Sequence, residues 1–420
     1  GCFSQEREAL YRGEGPREDP LELSCCWIPG REAYCRDPDY LQTLRRENAR
    51  YQAFVHDLRP QDVPLAAGGR GVVMIGGRNH HADRDPMGTT VSYTNEALLG
   101  IAALRYAGCR LPLELWHDND PALLGEQGRA VEAELSGFGP VTLRNIWDLP
   151  DGPQLRGYRL CTRVLLHTGF EEVLYLDSDN TAISDPTALF ASAEYEASGA
   201  VFWPDVGGHV AAHNPIWLVI ERYPEPLLLQ ESGQLLIDRR RHREAILLTD
   251  YFNSNPEFYA RTTYVGENDF WQFAWTALSL PFTMVSTGPS PVGYHATAAT
   301  FCTLALGQHL PASLGAGVAF VHRTKYKLGS WRGDGGGLLR EVQSHNRSDY
   351  FRWGLDAPFP CATLGTDLDR SAAANGTLRA LAVLEPMLSK LHQEITGANM
   401  ALLPEWWTLW ARYMRGQLLP

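Results

Sequence analysis

The stretch Glu171-Glu172-Val173-Leu174-Tyr175-Leu176-Asp177-Ser178-Asp179-Asn180 constrains the chain most, because an apolar, β-prone run stops abruptly at two carboxylates one residue apart. Val173 to Leu176 reads as a strand covered on both faces in a mostly parallel sheet. Ligands of open α/β sheets bind beyond the carboxyl ends of strands, where Asp177 and Asp179 are placed to share one cation. An all-oxygen pair suits Mg²⁺ or Mn²⁺. Asp-Ser-Asp-Asn also reads as an ordinary polar turn, since these side chains bond readily to nearby backbone.

Around that stretch, strands alternate with helices. Gly71 to Gly77 reads as a strand ending in the pair Gly76 and Gly77, where the backbone either approaches a ligand closely or simply turns. A helix over 92–107 stopped by Gly108, a strand from Leu113 to His117, a helix from Ala122 to Leu135, a strand from Val141 to Ile146 and a helix from Leu155 to Thr168 follow. The acidic end is then the close of a fourth strand in a parallel α/β sheet with right-handed crossovers. Beyond it the pattern is less regular and reads as a substrate platform. It holds a strand from Ala200 to Asp205, the segment Gln230-Glu231-Ser232-Gly233-Gln234, and a helix from Arg239 whose basic run reads as a solvated face. A helix opens at Gly266-Glu267-Asn268-Asp269-Phe270-Trp271 and runs to Leu278, and a strand from Val318 delivers His322 with Arg323, Lys325 and Lys327.

The flanks differ in character. Residues 1–68 read as a Cys- and Pro-rich stem followed by a helix from Asp39 to Asp57, and residues 336–420 as a loop and a helical extension. Four of the eight cysteines (Cys2, Cys25, Cys26 and Cys35) fall in the first 35 residues, which predicts an oxidised N-terminal staple. Asn346-Arg347-Ser348 and Asn375-Gly376-Thr377 are glycosylation acceptors and point with the cysteines to the secretory pathway. No apolar run reaches the roughly 18 residues of a membrane span, and residue 1 opens no signal peptide, so the chain reads as a mature form or a trimmed ectodomain. A net charge of -12 argues against nucleic-acid binding, and it requires a metal or placed cations for any anionic substrate.

Taken in order, these pieces resemble the fungal-type α-mannosyltransferases that add α-1,2 or α-1,3 mannose branches to mannan. The resemblance runs from about residue 70 to 330. It rests on Gly71 to Gly77, Leu111-Pro112-Leu113-Glu114-Leu115-Trp116, Leu174 to Asn180, Asp185-Pro186 with Leu189-Phe190, Phe202-Trp203-Pro204-Asp205, Gln230 to Gln234, Gly266 to Trp271 and the histidine strand. It implies a Golgi-lumen enzyme of the GT-A fold, a Rossmann-like mixed sheet flanked by helices. Its nucleotide-binding half is then 69–180 and its acceptor half 181–335, with membrane attachment only through a stem or anchor absent from this chain.

The resemblance further implies retaining transfer of mannose from GDP-mannose to a glycan or glycoprotein, with Mn²⁺ or Mg²⁺ between the donor diphosphate and Asp177, Asp179 and His322. Glu231 or Asp269 is then the carboxylate that stabilises positive charge at the anomeric carbon. Gly76, Gly77, Ser178, Ser232, Gly233, Lys325 and Lys327 line the donor, and Trp203 and Asp205 face the sugar hydroxyls. One stretch departs from the family pattern Gly-Asp-Lys-Asp/Glu-Thr/Ser-Phe. Here Glu267, Asn268 and Phe270 remove a cation and a hydroxyl, so a UDP-sugar donor and a noncatalytic carbohydrate binder are the alternatives.

Overall fold

Val72, Val73 and Met74 are consecutive and fully buried, so the strand that carries them is covered on both faces. The computed structural model describes residues 38–59, 68–77, 93–255, 258–259, 267–297 and 300–324, with short pieces at 341–342 and 361–363 and, between 374 and 388, at 374, 376–382, 384 and 388. Lys325, Lys327, Asn346, Asn375 and the stem cysteines Cys2, Cys25, Cys26 and Cys35 lie outside the described residues.

Apart from short helical turns, the chain begins with helix α1 (Pro38–Asp57), strand β1 (Arg70–Gly76), α2 (Tyr93–Tyr106), β2 (Leu113–His117), α3 (Gly125–Ser136), β3 (Val141–Asn145) and α4 (Arg159–His167). It continues with β4 (Glu172–Leu176), β5 (Asn180–Ala182), β6 (Ala200–His209), β7 (Leu228–Asp238), α5 (Arg239–Ser254), α6 (Phe270–Ala277) and β8 (Thr283–Met284). The last elements are β9 (Ser290–Thr297), β10 (Thr300–His309), β11 (Val318–His322), β12 (Glu341–Val342) and β13 (Cys361–Thr363).

The strands form two sheets. The first has the order β3-β2-β1-β4-β7-β6-β8. Its strands β1 to β4 are parallel, as the alternation of strand and helix predicts, whereas β7 runs antiparallel to β4 and β6 antiparallel to β7. The second has the order β12-β9-β10-β11-β5 with β13 on β10. Segments 279–317 carry no motif that announces β9 and β10, and the three-residue strand β5 is too short to show a period.

Side-chain alternation divides the interior. Val72, Met74, Leu174, Leu176 and Leu236 face one core with α2 and the second sheet, while Val73, Val173, Tyr175, Leu235 and Ile237 face the other with α4, α5 and α6. Burying each such aliphatic side chain contributes about 1.5–3 kcal/mol. Helix α2 is buried nearly all round because it is wedged between β1 and β5. Helix α1 docks on the second core through Leu44 and Tyr51, with Asn48 Nδ2 donating to Val219 O at 2.9 Å.

The basic run at the start of α5 is only partly a solvated face. Arg239 is buried, and its guanidinium donates to the carbonyls of Leu166, Thr168 and Phe170 at the end of α4. It thereby satisfies acceptors that a helix C-terminus leaves open. Burial pushes its pKa down to about 10, against the pull of the Glu114 charge. Arg239→Ala should strand three acceptors and cost about 3 kcal/mol or more in urea unfolding. Arg240→Ala, one residue on and exposed, should change stability by about 0.5 kcal/mol or less.

Candidate metal centre

The acidic tetrapeptide is both a turn and a site. After β4, Asn180 N–H closes back on Asp177 O at 3.0 Å, and Asp177 N–H donates to Gly233 O at 2.8 Å. The Asn180 amide ties the turn to β7 through Gly233 O at 2.9 Å and Gln234 Oε1 at 2.6 Å. The chain then enters β5, which pairs antiparallel with β11 so that Asn180 stands opposite His322. Arg323 N–H donates to Asp179 O at 3.1 Å. In this way the end of β11 is pinned beside the end of β4.

The result is convergence. His322 Nε2 lies 3.2 Å from Asp179 Oδ1 and 3.9 Å from Asp177 Oδ2, and one ligand atom from each of the three lies within 4.8 Å of the others. Asp179 and His322 are buried, whereas the Asp177 side chain is 40% exposed and opens the cluster to solvent. Two carboxylates and an imidazole fit a divalent cation, and nitrogen in the set favours Mn²⁺ over Mg²⁺.

Neighbours hold each ligand. Tyr175 OH donates to Asp177 Oδ1 at 2.6 Å, and burial, then the Asp177 charge, push the Tyr175 pKa well up. Glu231 Oε1 sits 3.3 Å from His322 Nδ1 and accepts from Gly233 N–H at 2.9 Å. Burial alone would raise the Glu231 pKa, but the imidazole and the Gly233 amide lower it. For His322 burial acts downward, and the charges of Glu231, Asp177 and Asp205 outweigh it and raise the pKa. Asp205 is pushed up to about 7 by burial and then by the Glu231 charge, against a hydrogen bond from Val206 N–H. Carboxylates thus crowd a single imidazole, an arrangement that a cation relieves.

The remaining expected residues fall at varied distances from this centre. Gly76 lets the start of α2 close on β1, since a Cβ there would meet Thr94 Cα at 3.1 Å, and a Cβ on Gly77 would meet Asp118 Cβ at 3.2 Å. Ser178 is buried in the turn, its carbonyl 3.2 Å from where a Cβ on Gly100 of α2 would stand. Ser232 Oγ bonds Asn268 Oδ1 at 2.5 Å. Asp269 Oδ1 accepts from Gln230 N–H at 2.8 Å and Gln272 Nε2 at 2.7 Å, which anchors it against β7.

Trp203 departs from expectation. It is fully buried, its indole donating to His309 O at 2.8 Å, so it packs between the sheets instead of facing a sugar. Gly233 also changes role, because its missing side chain is what admits the imidazole. Sequence reasoning missed Tyr175, Asn180 and Arg323. Tyr175 was legible, since it precedes Asp177 by two residues and so shares its face of the strand.

The family model described as "Mannosyltransferase putative" matches residues 69–216 and 220–310. Those ranges hold Asp177, Asp179, Glu231 and Asp269, and His322 lies beyond them. Alpha-1,2-mannosyltransferase MNN24 of Candida albicans is 26% identical over 236 residues, 46% of this chain and 30% of that protein. Alpha-1,2-mannosyltransferase MNN5 of Saccharomyces cerevisiae is 23% identical over 315 residues, 60% of this chain and 50% of that protein. The chain spans half or less of the length of these relatives. Among solved structures, mouse xyloside xylosyltransferase 1 superposes over 51% of this chain and 84% of its own, with 16% identity and a TM-score of 0.33, too low to bear on fold or function.

Gly233 provides a steric test. A Cβ there would lie 2.4 Å from His322 Cε1 and 2.6 Å from Nδ1. Gly233→Ala should displace the ring and weaken Mn²⁺ binding, measured by calorimetry, by about tenfold or more. Unchanged affinity would mean that the ring is not held where the ligands converge.

Proposed function

The chain belongs to this mannosyltransferase family, and from that premise we propose that it is a metal-dependent, retaining α-mannosyltransferase that moves mannose from GDP-mannose to a glycan acceptor. The observation that carries this reading is the convergence of Asp177, Asp179 and His322 at the carboxyl end of β4. Transfer breaks the bond between the anomeric carbon and a nucleoside diphosphate. A Mn²⁺ ion held by these three side chains would neutralise the diphosphate and stabilise charge on its leaving oxygen. The alpha-1,2 linkage named for the relatives is the linkage we propose here.

The chain's own groups fill the other roles. Asp269, fixed by the Gln230 amide and Gln272, is the carboxylate proposed to face positive charge developing at the anomeric carbon. Asp205 holds a sugar hydroxyl. Gly76, Gly77 and Ser178 shape the donor side of a GT-A-type crevice, and Lys325 and Lys327, which lie outside the described residues, are the cations proposed to act on the diphosphate. Ser232 lines the donor sugar together with Asn268. Because Asn268 stands where the family pattern carries a lysine, a UDP-sugar is the second donor to test.

A secretory setting, the Golgi lumen, agrees with the cysteines. Cys302 is disulfide-bonded, with Cys361 its register partner across β10 and β13, while Cys109 and Cys161 are free. No helix among the described residues is long and apolar enough to cross a membrane. An N-terminal staple and a stem attached to a membrane belong to the same proposal.

Release of nucleoside diphosphate across GDP- and UDP-sugars tests the reading. Turnover should be highest with GDP-mannose, vanish in chelator and return with Mn²⁺, whereas full turnover in chelator would remove the metal from the reaction. Asp179→Ala should abolish metal and donor binding together. Asp269→Asn, nearly isosteric, should leave GDP affinity unchanged and slow turnover about tenfold or more, roughly 1.4 kcal/mol of transition-state stabilisation. If it loses GDP binding as completely as Asp179→Ala, its role at the sugar is wrong.

A further inference from the structure

An imidazole offers a cation either nitrogen, and the group facing the other nitrogen decides which one. In His322 the two sides are unequal. Nε2 faces Asp179 at 3.2 Å and Asp177 at 3.9 Å, while Nδ1 faces Glu231 Oε1 at 3.3 Å. The ring is walled by Gly233, whose absent Cβ would sit 2.4 Å from Cε1. The ring occupies the space that a Cβ on Gly233 would take, so only glycine there leaves it in this position.

Glu231 is equally well placed to act on the ring. It is 4% exposed, stands opposite Trp203 in the β6–β7 pairing and accepts the Gly233 amide at 2.9 Å with the same oxygen that faces Nδ1. The Glu231–His322 contact is at ion-pair distance, but Nδ1 has no formed hydrogen bond. Nδ1 is thus a buried ring nitrogen with a carboxylate in front of it. Burial and this commitment give Glu231 to His322 in place of the anomeric carbon, for which it was one of two candidates with Asp269.

We propose that Glu231 is the positioning residue of the metal centre, holding the proton of His322 on Nδ1 so that Nε2 presents a lone pair to a divalent cation shared with Asp177 and Asp179. This rests on the divalent-cation reading of the site. Carboxylate, imidazole and cation then form a line in which the outer carboxylate orients the ring and raises its basicity. Neither Asp177 nor Asp179 can substitute, because both face Nε2.

The test uses the whole chain and two variants, Glu231→Gln, which keeps the shape, and Glu231→Ala, which removes the acceptor. Calorimetry with Mn²⁺ reads affinity, and ring ¹⁵N spectra of the Mg²⁺-loaded protein read which nitrogen of His322 carries the proton. The parent should show Nδ1–H. Glu231→Ala should weaken Mn²⁺ binding about 10- to 100-fold and Glu231→Gln by less, with the ring passing to a mixture of tautomers. A role confined to stability would move the unfolding temperature and leave the tautomer alone, and that result overturns the proposal. So does a Glu231→Gln variant with parental affinity and tautomer, while loss of binding in Asp179→Ala keeps the metal reading standing. A parent that binds neither ion, as Asp179→Ala does, overturns the metal reading and this inference together.

Discussion

A three-residue strand sets the geometry of the whole centre. β5 runs from Asn180 to Ala182 and its pairing with β11 is what brings His322 next to Asp179 across more than a third of the chain. Loop closure over such a distance costs entropy that one short ladder cannot offset alone. The rest of the second sheet supplies the difference. β11 is locked to β10, and Phe320 and Val321 are fully buried in the core that also holds α2. The histidine is therefore delivered by a packed strand end, which fixes a ligand better than a loop does.

The other half of the centre comes from β7 running past β4. Leu176, the last residue of β4, pairs with Gln234, so Gly233, Ser232 and Glu231 overhang the turn that carries Asp177 and Asp179. The β6–β7 register shifts between Val201 and Trp203. Such a shift re-aims side chains, and here β7, between β4 and β6, presents a carboxylate to the back of the imidazole. β7 covers the turn because its 11 residues outrun the 5 of β4.

Much of this was legible in the chain. The four strands up to Asp177 follow from their alternation with helices and from runs of apolar residues such as Val72, Val73 and Met74. The two carboxylates were readable as candidate ligands because they close an apolar run, while His322 joined them only through the family resemblance. What was hidden depends on pairing. Trp203 was expected at the sugar hydroxyls from the family resemblance, yet its neighbour in space is the second sheet, which no local pattern reveals. Arg239 looked solvated in a basic run, and only the position of α4 shows that three carbonyls wait for it.

Gly233 shows why residue type and role separate. A glycine beside a serine in a donor-facing segment reads as a place where backbone meets ligand, and in sequence that reading is reasonable. Its backbone is engaged elsewhere: its carbonyl receives Asp177 N–H and the Asn180 amide, and its N–H goes to Glu231. What remains is the space of a missing methyl group, and the His322 ring fills it. One residue thus bonds the turn that carries the two aspartates, the carboxylate behind the histidine and the histidine's own wall. Substitution there disturbs all of them at once, whereas substitution at Asp177, 40% exposed on the open side, removes one candidate ligand and the acceptor of the Tyr175 hydroxyl.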